Sequence, residues 1–196
     1  MIKFFVLFFL IIFVFQINAA EVENLIYSDY HHNFSGKILV PERENLMPAV
    51  IVCYDEFFDL MADKDQKKSD NILKKLMKRF ENEGIVSLFV SEKHNRFKAI
   101  KAAIDHVKYH SQVDHNNIHI VGMGSTAFLM LLSLENNSDV RSAVLISPVA
   151  AERKGFFSMP SLLRRIENIN TPILILLGTK ERDWGVKSTK LIHKIL

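Results

Sequence analysis

Asn117-Ile118-His119-Ile120-Val121-Gly122-Met123-Gly124-Ser125-Thr126 runs straight into Ala127-Phe128-Leu129-Met130-Leu131-Leu132, and this stretch decides the fold class. Residues 117–121 (NIHIV) read as a strand that ends at Gly122. Residues 125–134 are strongly apolar and read as a buried helix. Two glycines in three residues join them, as a sharp strand-to-helix turn requires, because glycine alone enters strained backbone regions freely.

The same alternation extends in both directions. Upstream, residues 97–110 predict a helix with Ile100, Ala103, Ile104 and Val107 on one face. Residues 85–90 (IVSLFV) predict a strand. Before it, residues 70–83 predict a helix with Ile72, Leu73, Leu76, Met77 and Phe80 in its apolar stripe, stopped by Gly84 at C′. Residues 49–54 (AVIVCY) form a continuous apolar run, the mark of a strand buried on both faces. Residues 36–40 (GKILV) predict another strand, ended by Pro41. Downstream, strands are expected at 140–147 and 172–177 and helices at 160–168 and 187–196. The polar stretch 59–69 reads as a surface loop.

Strands alternating with helices argue for βαβ units. The expected fold is therefore α/β, a three-layer sandwich with a mostly parallel central sheet. The chain has 196 residues, enough for one domain, expected over residues 21–196. Hydrophobic residues make up 48% of it, too many for a disordered chain. The net charge of +3 comes from interspersed Lys, Arg, Asp and Glu, with no basic stripe of the kind that tracks nucleic acid. The single cysteine, Cys53, excludes an internal disulfide framework and a cysteine-based zinc cage.

The first twenty residues are expected to be a targeting signal. Lys3 supplies the positive start, Phe4 to Phe15 are twelve unbroken apolar residues, and Ala19-Ala20 offers small residues for cleavage. The run is short of the ~20 apolar residues that a spanning helix needs. Export, periplasmic or secreted, is the expectation. An uncleaved segment anchoring the protein to the membrane is the alternative, and only then is a membrane partner expected.

Four segments together are similar to one known family. They are residues 48–60, a buried strand running into Tyr54-Asp55-Glu56-Phe57; residues 72–90, helix, glycine, strand; residues 99–126, the approach to a strand–turn–helix; and residues 172–181, a strand into Gly178-Thr179-Lys180-Glu181. The chain resembles the α/β-hydrolase superfamily, in particular its dienelactone-hydrolase-like branch. The resemblance implies a nucleophile at the centre of Gly-x-Ser-x-Gly, or with Cys there, beside backbone N–H donors for an oxyanion. Counted from Gly122, that position falls on Gly124. Ser125 is then the next residue, its N–H lining the oxyanion hole and its hydroxyl capping the helix. A frame shifted by one makes Ser125 the nucleophile but puts bulky Met123 where the motif wants glycine.

The resemblance places the triad acid at Glu181, with Asp183 in reserve, and the oxyanion donors near Tyr54 and at Ser125 or Thr126. It gives Glu56 the place of a glutamate that contacts the nucleophile; a loop carboxylate in water is the other reading. In the family one more strand, and the basic histidine, follow the acid. The chain ends at Leu196, so the expected sheet lacks the last strand and the base is unassigned. The bare sheet edge would then favour self-association. His106 and His110, four apart on a helix, could chelate, yet no third ligand accompanies them, and no metal site is expected. No phosphate-loop or dinucleotide motif occurs, so no cofactor is expected. The functional expectation is an ester or lactone hydrolase with an incomplete catalytic triad, taking a small ester-like molecule. The alternative is an inactive scaffold, a pseudoenzyme that binds a ligand or partner.

Overall fold

The computed structural model describes residues 20–54, 66–91, 94–149, 164–167, 169–179, 181 and 183–196. Glu56, residues 1–19, most of the polar stretch 59–69 and most of the helix expected at 160–168 lie outside these residues.

In chain order the elements are β1 (Glu23–Ser28), β2 (Asn33–Leu39), β3 (Met47–Cys53), α1 (Gln66–Asn82), β4 (Val86–Val90), α2 (Arg96–Lys108), β5 (Val113–Met123), α3 (Ser125–Ser133), β6 (Val140–Ile146), β7 (Ile173–Leu176) and α4 (Asp183–Ile195). They build one seven-stranded sheet in the order β1-β2-β4-β3-β5-β6-β7. The β1–β2 and β2–β4 pairs are antiparallel. From β4 through β7 every pair is parallel. The mostly parallel α/β sheet expected from the alternation is therefore present.

Four details differ from the periodicity. β1 carries almost no apolar signal because only Tyr27 is buried along it, and it pairs on one side only. His31 and His32 lie in the turn after β1, where Asp29 Oδ1 accepts hydrogen bonds from both backbone N–H groups at 2.8 and 2.7 Å. β5 starts at Val113, four residues earlier than expected, because its polar first part pairs at Met47 before the main register with β3. The two outer helices also start earlier. α1 begins at Gln66, inside the stretch read as loop, and α4 at Asp183.

Both faces of the central strands are covered, which is why β3 and β4 read as unbroken apolar runs. On one face, Ile51, Leu88, Ile118, Ile120 and Leu145 pack with Ile100 and Ile104 of α2 and Met130 and Leu131 of α3. On the other, Val50, Val52 and Phe89 pack under Met77, Leu73, Leu76 and Phe80 of α1. Gly84 ends α1 with φ 73°, as expected of a C′ glycine. Ile85 N–H donates to Phe80 O at 2.8 Å and Gly84 N–H to Glu81 O at 2.9 Å, the paired bonds of a Schellman cap. Toward β7 the second face opens. Val121, Val144 and Leu174 form one cross-strand row, and Met123, Ile146 and Leu176 the next. Leu174 is 55% exposed and Leu176 44%.

Among the described residues no helix is long and apolar enough to cross a membrane.

Candidate functional site

Parallel strands present all their C-terminal ends on one edge, and the turns leaving that edge are where such sheets place ligands. Here β3 ends at Cys53, β5 at Met123, β6 at Ile146 and β7 at Leu176. Met123 pairs with Ile146 and Ile146 with Leu176. Tyr54, Gly124, Ser147 and Leu177 therefore follow one another along the same edge. The residue after β4, Ser91, donates its N–H to Ser35 O at 3.0 Å and so closes off toward β2.

The turn between β5 and α3 is the strained point of this edge. Gly124 has φ 64° and ψ −131°, a region that side-chain-bearing residues enter only at a cost. Its N–H donates to Ile146 O at 2.9 Å and its carbonyl accepts from Val149 N–H at 3.2 Å. Ser147, at φ 45°, bends the chain after β6 over the same turn, with its N–H on Leu176 O at 2.7 Å. Sequence reasoning missed Ser147, because nothing in Ile146-Ser147-Pro148 signals a left-handed residue.

Gly122 fixes which residue stands where. A Cβ on it would lie 2.5 Å from Ala127 Cα and 3.1 Å from Met130 Sδ, so glycine is what lets α3 cross β5 this closely. Met123 projects to the opposite face, into the cluster that holds Tyr54 and Val121. Gly124 is the turn residue, and Ser125 is the first residue of α3. The N-cap position of the helix is Gly124, which has no side chain to cap it. Ser125 is partly exposed.

Thr126 is fully buried. Its hydroxyl donates toward Cys53 O at 2.9 Å and Met123 O at 2.7 Å, one proton shared between the last carbonyls of two strands. That hydroxyl ties α3 to the ends of β3 and β5. Tyr54 is partly buried just past the end of β3, packed against the cluster of Val50, Val52 and Phe89. Cys53 is a buried thiol outside any disulfide, 1% exposed.

Glu181 follows a turn in which its N–H donates to Gly178 O at 3.1 Å. Its side chain folds onto the start of α4: a Cβ on Gly185 would stand 2.9 Å from Glu181 Cγ and Oε1. Asp183 is exposed as the first residue of α4, where a carboxylate suits the positive end of the helix dipole. The edge thus gathers Tyr54, Gly124, Ser125 and the β7 turn that carries Glu181.

Exposed His94 lies in the loop that follows β4 at this edge, whereas His106, His110, His119 and His193 sit elsewhere. His119 lies within β5 with its Nδ1 2.8 Å from Ser142 Oγ on β6, and burial, then the neighbouring Arg141 charge, lowers its pKa. His106 packs on Tyr27, ring centroids 6.0 Å apart, and burial, then His110, lowers its pKa. The His106 and His110 rings stand 6.4 Å apart. His193 is exposed on α4. Among the described residues no three His, Cys, Asp or Glu side chains gather as a metal site.

A sequence model described as the Dienelactone hydrolase family matches residues 46–196. Solved structures repeat the fold at low identity. A candidate dienelactone hydrolase from Klebsiella pneumoniae superposes with a TM-score of 0.66 at 17% identity, over 91% of this chain and 81% of that one. The esterase domain of a Rhodothermus marinus protein gives 0.66 at 8% identity, over 89% and 83%. The acylaminoacyl peptidase of Pyrococcus horikoshii gives 0.66 at 9% identity over 95% of this chain. The chain spans only 36% of that peptidase. No curated protein matches the sequence.

Proposed function

The chain belongs to the dienelactone hydrolase family, and from that premise we propose that it is an exported α/β-hydrolase scaffold that binds a small ester- or lactone-like molecule without cleaving it. One observation carries the reading: the strained turn between β5 and α3 is occupied by Gly124, at φ 64° and ψ −131°. In a nucleophile elbow the residue forced into such a turn is the one whose side chain attacks. Glycine supplies no attacking atom. What the turn retains is the electrostatic part of the site, the backbone N–H groups at the N-terminus of α3, which favour a carbonyl oxygen or an anion. Tyr54 and the Gly178–Glu181 turn would flank such a ligand.

Catalysis by Ser125 is the second reading, favoured by its partial exposure at the mouth of α3. In it Ser125 Oγ attacks an acyl carbonyl, the oxyanion is held by N–H groups near Tyr54 and at Ser125 or Thr126, and Glu181 orients a base. A serine needs such a base to be a nucleophile. The apolar leader directs export in both readings. β7 is the last strand of the sheet among the described residues, with Leu174 and Leu176 exposed, and is where a second copy would pair.

A fluorophosphonate probe tests the assignment. The folded protein is incubated with it, its intact mass measured and any adduct mapped. No adduct supports a binding scaffold. An adduct on Ser125, lost in Ser125→Ala together with ester hydrolysis, establishes the second reading and overturns the first.

A further inference from the structure

Strand β1 stands at one end of the sheet order and pairs with β2. Asn24, Ile26 and Ser28 are exposed along its outer face. On the inner face Glu23 is exposed, Leu25 is partly buried and Tyr27 is buried, at 3% exposure. Tyr27 is therefore the side chain that anchors the strand. Its ring meets Phe34 of β2, with centroids 5.9 Å apart, and His106 of α2, with centroids 6.0 Å apart. The second contact sets a side chain that titrates near neutral pH where the anchor of β1 meets a helix.

The surroundings of His106 favour a neutral imidazole. On β1 the titratable groups of the inner face are the Tyr27 hydroxyl and Glu23, and on α2 the neighbours are Asp105, Lys108, Tyr109 and His110. Lys108 pairs with Asp139 at 2.9 Å, and Gln112 N–H donates to His110 Nδ1 at 3.3 Å. On β2 the apolar Phe34 follows, and His32 stacks on it at 6.0 Å while paired with Asp29. Burial acts most on His106 and the His110 charge next, both lowering its pKa, and among the described residues no carboxylate offsets them. His110 acts whether or not β1 is in place, since both histidines belong to α2. The burial that Tyr27 supplies ends when β1 leaves. Water then restores to His106 more of the ordinary proton affinity of an imidazole. The detached form thus binds the proton more tightly, and falling pH favours it.

We propose that β1 is an acid-released strap: a proton taken up at His106 loosens Tyr27 from α2 and lets β1 leave the sheet edge. Local opening of this kind draws on the elements with least burial, and β1 is an end strand with one buried side chain. Release uncovers the edge of β2, whose freed backbone groups can pair with another strand. The inference does not involve the turn between β5 and α3, so it holds under either reading of Ser125.

The test is amide hydrogen exchange of the whole protein at about pH 7.5 and about pH 5, corrected for the intrinsic pH dependence of exchange. Protection of residues 23–28 is expected to fall several-fold at the lower pH and to stay below that of residues 118–122 of β5 at both. The fall should vanish in His106→Gln and persist in His119→Gln, which alters the other histidine that burial holds neutral. A thermal melt checks that His106→Gln is folded; if it is not, His106→Phe is read the same way. Unchanged protection of β1 overturns the inference, as does a fall that persists in the folded His106 variant. Exchange of β1 and β5 at one common protection also overturns it, since the opening is then global. Protection that rises at the lower pH overturns it as well, because the cationic ring is then held on Tyr27.

Discussion

Replacing Gly122 with alanine should displace α3, and the structure supplies the size of the effect. The new Cβ would stand 2.5 Å from Ala127 Cα and 3.1 Å from both Ala127 N and Met130 Sδ. Carbon atoms rest about 3.5–4.0 Å apart, so α3 must retreat by roughly 1–1.5 Å. It is not free to do so. Ala127, Met130 and Leu131 are wholly buried, and the Thr126 hydroxyl is held at 2.9 and 2.7 Å by the ends of β3 and β5. Overpacking of this kind costs about 1–3 kcal/mol, and loosening the Thr126 bond about 1 more. A total of about 2–4 kcal/mol should lower the melting temperature by about 4–16 °C in a domain of this size. Gly178→Ala is the control. A Cβ added there would meet nothing within 4 Å, so the change should stay within about 0.5 kcal/mol. Both variants are compared by thermal and urea unfolding monitored by circular dichroism. A Gly122→Ala protein that melts with the wild type, or a Gly178→Ala protein that loses as much, refutes the reasoning. The frame that places Gly124 in the turn would fall with it.

Other expectations follow from single contacts. Gly124→Ser puts a side chain at φ 64° and ψ −131° and should cost about 1–3 kcal/mol in urea unfolding. Thr126→Val removes the hydroxyl shared by Cys53 and Met123 carbonyls and should cost about 1–2 kcal/mol by the same assay. Ser87 is fully buried in β4 and its hydroxyl has no hydrogen-bond partner among the described residues, so Ser87→Ala should leave stability equal or raise it by up to about 1 kcal/mol. His106 and His119 have pKa values lowered by burial from 6.5, so the unfolded chain takes up protons first. The stability they contribute is present above that pH and lost as pH falls through the folded values. Urea unfolding between about pH 7.5 and 5 should show this decline, with a shallower slope in His119→Gln.

The helices were legible where burial is one-sided. α2 shows its stripe of Ile100, Ala103, Ile104 and Val107 because those four side chains are buried while Lys101 and Asp105 face out. The strands β3 and β4 were legible for the opposite reason, since helices cover both their faces and every residue is apolar or small. β1 was not, because an edge strand with one buried side chain carries no pattern, and its place is set by pairing with β2. The polar start of β5 was hidden likewise, since backbone pairing at Met47 makes it a strand without an apolar signal.

Sequence alone determined the class of this protein: the alternation of most of its strands and helices, the turn glycines and the likeness to a hydrolase family. Those features are local, written in periodicity and in residues with special backbone freedom. Which residue occupies the turn was open, because Gly122-Met123-Gly124-Ser125-Thr126 admits two frames. Tertiary structure decided it. The approach of Ala127 to Gly122, the dihedral angles of Gly124 and the anchoring of Thr126 to Cys53 all depend on how α3 crosses the sheet. A crossing distance is a property of two packed elements, and neither element's sequence states it.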